Sequence, residues 1–104
     1  MIPVKITAVR KADYPDLQQK YENPIAHTCE VQENQSWLSD GWNPPDGLCP
    51  SAWESIATFV RALGTGGSDF YDGWMQDPKT AMISCNDGFR PVSFLLEAQA
   101  ETGR

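Results

Sequence analysis

Hydrophobic and polar residues alternate from the start of the chain, with Ile2, Val4, Ile6 and Ala8 separated by Pro3, Lys5 and Thr7. A period of two places every second side chain on one face, so this stretch predicts a first strand with one buried side. From Ala12 to Tyr21 the chain turns polar. The Tyr14-Pro15-Asp16 turn signal leaves room for one or two helical turns before Asn23-Pro24 ends them. His27 to Leu38 predicts a second extended segment with Cys29, Val31 and Trp37 facing inward, and Ser39 to Pro45 is rich in turn formers.

The period changes at Ser51. Trp53, Ile56, Phe59, Val60 and Leu63 recur at helical spacing, Ser51 and Glu54 form a Ser-x-x-Glu capping box behind Pro50, and Gly64 supplies a stop. The apolar stripe is one face wide, which predicts a helix over Ser51–Leu63 packed on a sheet. Gly64 to Lys79 reads as a long irregular connection, a length often tied to function in a compact domain. Ala81, Ile83 and Cys85 then alternate, as do Val92, Phe94 and Leu96, and Asn86-Asp87-Gly88 between them predicts a hairpin. Residues 97–104 read as a polar tail that frays. The whole chain, 1–104, is expected to form a single α+β domain. Its mostly antiparallel sheet takes the first strand, the segment after His27 and the terminal hairpin, with the main helix across one face.

Composition supports this without requiring staples. Four Trp, three Tyr and four Phe in 104 residues supply apolar surface for one core that does not depend on metals or disulfides. Charge narrows the partners: 14 acidic residues oppose 8 basic ones, and from Glu30 to Asp87 nine carboxylates meet only Arg61 and Lys79. Nucleic acid and anionic membranes, which recruit clustered Lys and Arg, are therefore not expected. No apolar run approaches the roughly 20 residues of a membrane span. The N-terminal stretch lacks the basic-then-apolar layout of a secretory signal, and three cysteines cannot all pair within one chain. A cytoplasmic protein with reduced thiols is the expectation.

The candidate chemistry lies in the cysteines and their neighbours. Cys49 precedes a helix start, where exposed backbone N–H groups favour a thiolate that could act as nucleophile, redox centre or metal ligand. It is equally readable as a small buried hydrophobe. Cys85 shares a strand face with Ala81 and Ile83 and lies beside Asp87, a natural turn residue. Arg90 precedes Pro91, which removes a ladder donor, so its guanidinium could enter a cleft and hold an anionic group. His27-x-Cys29 puts both side chains on one face of an extended segment. With Cys49 and Cys85 they make a set of one nitrogen and three sulfurs suited to zinc or iron, although no Cys-x-x-Cys pair supports it. Gly64-x-Gly66-Gly67 follows a helix and lacks a Lys-Ser or Lys-Thr, so it is no phosphate loop; Ser51 lacks a nucleophile elbow. The helix stripe accounts for Trp53, whereas Trp42 and Trp74 sit in loops, where they could line a pocket or an oligomer interface.

Two stretches, Gly47-Leu48-Cys49-Pro50-Ser51-Ala52-Trp53 and Cys85-Asn86-Asp87-Gly88-Phe89-Arg90-Pro91-Val92, resemble the motifs of a family of small bacterial and archaeal proteins with no assigned activity. The similarity extends to Cys29, Gly66, Gly67 and Trp74. It implies a shared cysteine-based site that uses the three thiols and Arg90. Gln32 stands where a Gly is usual, and Ser84 stands where many members carry a further Cys. The leading expectation is an accessory protein that binds a metal or a small polar or anionic ligand through His27, Cys29, Cys49 and Cys85, with Asp87, Arg90, Trp53 and Trp74 around the ligand. The alternatives are a thiol-dependent enzyme using Cys49 and a structural protein that forms a homo-oligomer.

Overall fold

A computed structural model describes residues 1–24 and 30–100. The element order is β1 (Val4–Lys11), α1 (Pro15–Tyr21), β2 (Ser36–Ser39), α2 (Pro50–Gly64), β3 (Thr80–Ser84) and β4 (Val92–Ala98). The four strands make one antiparallel sheet in the order β2-β1-β4-β3, and α2 packs on one face of it, giving an α+β fold. No helix among the described residues is long and apolar enough to cross a membrane.

The period-two residues of β1 do what their spacing predicts: Val4, Ile6 and Ala8 are buried. Facing them across the β1–β4 pair are Leu96 and Phe94, with Ile6 opposite Leu96 and Ala8 opposite Phe94. From α2, Ala52, Ile56, Val60 and Leu63 close the core, a spacing of three or four residues that keeps one helical face inward. Trp53 and Phe59 are only half-buried and flank that stripe. A register shift between Ala8 and Arg10 marks a β-bulge at Val9.

Four expectations are corrected. The extended segment after His27 is strand only over Ser36–Ser39; Asn34, with φ 72°, turns the chain ahead of it, while Val31 is buried without belonging to a strand. Cys29, expected to face inward there, lies outside the described residues. The Ser51–Glu54 capping box does not form. Pro50 occupies the first turn with its fixed φ, which makes Cys49 the N-cap and leaves no side-chain cap bond. The polar tail begins later than predicted, because Glu97 and Ala98 belong to β4, Ala98 N–H donates to Lys79 O (3.0 Å) and Gln99 N–H to Pro3 O (2.8 Å). Finally, Gly64 is not the helix stop. Gly66, at φ 94°, holds the left-handed position, while Gly67 N–H bonds Ala62 O and Gly66 N–H bonds Leu63 O, the two bonds of a Schellman ending.

Gly64 has a different task. A Cβ placed on it would run into the carbonyl of Gly41, so the two backbones touch where α2 ends. The same carbonyl end of α2 receives Ile2 N–H at 2.8 Å. The turn carrying Gly41 is held by side chains: Ser39 Oγ, fully buried, accepts Gly41 N–H (3.1 Å) and donates to Asn43 O (2.7 Å). Asp40 accepts from the backbone N–H groups of Asn43 (2.8 Å) and Trp42 (2.9 Å), and these bonds, Asn43's first, hold its carboxyl below the usual carboxylate range.

These contacts separate two glycines by cause. Gly64→Ala must displace backbone and should cost about 3 kcal/mol in chemical denaturation, the upper range for overpacking. Gly66→Ala meets no atom within 4 Å and should cost only about 1 kcal/mol, from its φ of 94°. Equal losses would mean that the Gly41–Gly64 contact carries no special weight.

Candidate functional site

The β3–β4 connection is longer than a two- or three-residue turn. Cys85 N–H donates to Val92 O at 2.9 Å, so the ladder continues to that pair and residues 86–91 form the loop beyond it. Asp87 shapes the loop, its Oδ1 accepting from Phe89 N–H (2.8 Å) and Arg90 N–H (3.3 Å), while Gly88 has no left-handed φ. The chain leaving β1 pins the far side of the loop: Ala12 N–H donates to Pro91 O and Tyr14 N–H to Phe89 O.

Where this loop faces the start of α2, the two layers part and leave a cavity of about 330 Å³. Its apolar wall is Val31, Ala52, Val92 and Phe94, which continue the core; its polar rim comes from Ser51, Asn86, Asp87 and Arg90. Both described thiols, those of Cys49 and Cys85, line it, and both are half-buried and unpaired with each other. Cys49 arrives as the N-cap of α2, its carbonyl accepting Trp53 N–H at 3.0 Å. The Cys85 thiol takes part in the ladder, since Val92 N–H donates to its Sγ at 3.2 Å while Ser84 Oγ donates to its carbonyl.

The structure thus places Cys49, Cys85, Asp87 and Arg90 around one cavity. It does not bring Trp53 or Trp74 there. Trp53 lies against the core with the Arg61 guanidinium 5.8 Å from its ring centre, and Trp74 lines a separate groove with Met82 and Leu95. His27 and Cys29 lie outside the described residues, so the four-ligand set cannot be assembled from the described part of the chain. Among the described residues, no group of three or more His, Cys, Asp or Glu side chains is close enough to hold a metal ion.

Arg90 is occupied more fully than its sequence context implies. Nη1 binds Glu22 at 3.0 Å, Nη2 donates to Gln18 Oε1 at 2.7 Å, and Nε lies 3.8 Å from Asp13. The bond to Glu22 raises its proton affinity above the ordinary arginine value, with Asp13 and Asp87 adding attraction. Since α1 buries no residue, these polar bonds and the one from Gln18 Nε2 to Phe89 O (3.3 Å) hold it to the loop. Arg90 is therefore a strut between α1 and the cavity rim, with its charge largely answered. Val31, expected to face inward, and Ala52 and Asn86, present in the two motifs, were not assigned to a site from sequence; the signal for Ala52 is its helical phase with Ile56, four residues being about one turn.

No protein-family model, no curated protein and no solved structure matches this chain.

Replacing Arg90 by Ala should release α1 selectively. Hydrogen exchange of the amides of residues 18–22 should rise toward the unprotected rate while those of α2 and β4 stay slow. Uniform acceleration across all elements would show that Arg90 supports the core and not α1 alone.

Proposed function

We propose that this protein is a small accessory protein of the reducing cytoplasm that binds a compact, largely apolar ligand in the cavity between α2 and the β3–β4 loop. The observation that supports this reading most is the meeting of two thiols, 36 positions apart in sequence, in the wall of one cavity. A concave apolar site with a few polar groups at its rim is the usual form of a small-molecule site. With Arg90 committed to Glu22 and Gln18, a carboxylate or phosphate finds little free positive charge there. The ligand is accordingly neutral, with one hydrogen-bonding group directed at Asn86 or Asp87. The anionic ligand suggested by sequence is the weaker choice on this geometry.

A second reading, a thiol-dependent enzyme, is favoured by one feature: Cys49 stands at the N-cap position of α2 and lines the cavity. The two readings differ in reactivity. An enzyme requires Cys49 to alkylate much faster than Cys85 at neutral pH. A binding site requires only that a ligand shield both.

The test is a ligand-observed NMR screen of neutral aromatic and aliphatic fragments, followed by thiol labelling of Cys49 and Cys85 with a bulky maleimide. Bound fragments should slow labelling of both cysteines together. Ser51→Trp, which adds bulk at an exposed rim position, should weaken the same fragments by at least about tenfold, a loss of roughly 1.4 kcal/mol. Fragments that bind equally well to Ser51→Trp and leave both labelling rates unchanged would remove the cavity as the site.

A further inference from the structure

A shallow groove of about 480 Å³, separate from the thiol cavity, lies along β3 and is lined in part by Met82, Leu95 and Glu97. These residues alternate with the core residues Ala81, Phe94 and Leu96, so they stand on the sheet face turned away from α2. Trp74 joins them from the loop before β3, and its side chain stays 43% exposed.

That exposed ring is held in place. Tyr71 packs against it edge-on, ring centres 5.4 Å apart, and Phe59 of α2 meets both Phe70 and Tyr71. Trp74 N–H donates to Phe70 O (3.3 Å) and Gly73 N–H to Asp69 Oδ1 (2.8 Å). The turn requires left-handed backbone at Asp69, Tyr71 and Asp72, with φ of 55°, 54° and 52°, a region that bulky side chains enter only at a cost. Burial of Tyr71 does not return that cost, since the residue is 74% exposed. Strain is spent on presenting an aromatic pair to solvent.

Hydrogen-bonding groups beside the ring stand unused. Among the described residues nothing engages the Gln76 amide or the Glu97 carboxylate, and Asp77 gives Oδ1 to Lys79 N–H (2.9 Å) while Oδ2 remains. Charge is close to balanced: against Asp77 and Glu97, Lys5 stands opposite Glu97, Arg10 opposite Ser93, and Lys79 next to Thr80. The groove therefore prefers no ion of either sign. A purely apolar ligand would leave its polar groups covered and unpaired. A proline-rich segment needs a groove lined by several rings, whereas Trp74 is the one aromatic lining this groove among the described residues. The ligand that fits is neutral, with an apolar face to stack on Trp74 and many hydroxyls at its edge. A sugar ring is built that way: its axial C–H groups meet the negative face of an indole, and its equatorial hydroxyls bond carboxylates and amides.

We propose that this groove binds a neutral carbohydrate, one pyranose ring stacked on Trp74 and its hydroxyls hydrogen-bonded to Gln76, Asp77 and Glu97.

The experiment titrates the full chain, labelled with ¹⁵N, with cellohexaose, chitohexaose and maltohexaose, and with adenosine as a neutral ligand that stacks without a ring of axial C–H groups. At least one hexasaccharide should give saturable shifts centred on the Trp74 indole N–H and the amides of residues 74–82 and 95–97. Trp74→Ala should weaken that sugar at least about tenfold, and Trp74→Phe, which keeps a ring, should weaken it less. Gln76→Ala combined with Glu97→Ala, both at the surface, should also cost at least about tenfold. Maleimide labelling of Cys49 and Cys85 should proceed unchanged with the sugar bound, which separates this groove from the cavity. No shift at Trp74 from any of the three sugars up to about 20 mM, unaltered binding by Trp74→Ala, adenosine binding as tightly, or slowed thiol labelling would overturn the proposal.

Discussion

The contact between the backbones of Gly41 and Gly64 fixes how the helix sits on the sheet. It joins three parts of the chain at one point: the end of β2 through Ser39, the segment just before β1 through Ile2 N–H, and the last turn of α2. A helix packed by a single apolar stripe can slide along its axis at modest cost, because one leucine-sized knob resembles the next. A backbone contact at one end removes that freedom. Everything at the other end, including the position of Cys49 against the β3–β4 loop, follows from where α2 is anchored.

This arrangement explains which parts of the fold were legible. Val4, Ile6 and Ala8, and again Ala81, Phe94 and Leu96, declared their buried face because strand periodicity maps directly onto burial. The helix was legible for the same reason. Its boundaries were not, since Pro50 and Ser51 both carry start signals and Gly64, Gly66 and Gly67 all carry stop signals; three-dimensional contacts decide between them. The role of Gly64 depends on Gly41, a residue 23 positions away, and no local pattern contains that information.

The candidate site was legible in part. Cys49 and Cys85 attract notice as thiols at element ends, and element ends are where a two-layer fold opens. Arg90 shows its charge in the sequence, but Glu22, Gln18 and Asp13, which answer that charge, are distant in sequence and share no local pattern with it. A polar helix such as α1, with no buried side chain, gives no hydrophobic signal of where it docks. The two tryptophans grouped with the site, Trp53 and Trp74, part company: Trp53 packs against the core from α2, and Trp74 lines a groove with Met82 and Leu95. Aromatic content alone does not say which face a ring serves.

The thiol of Cys85 stands in for a backbone carbonyl. Val92 donates its N–H to sulfur where an ordinary antiparallel rung would use oxygen, and the displaced carbonyl is satisfied by Ser84 Oγ. The last rung of the hairpin is thus written in side-chain chemistry. Any reaction that adds a group to this sulfur competes with that rung, so the covalent state of one side chain is reported at the amide of a residue seven positions away, inside a strand that touches both of its neighbours.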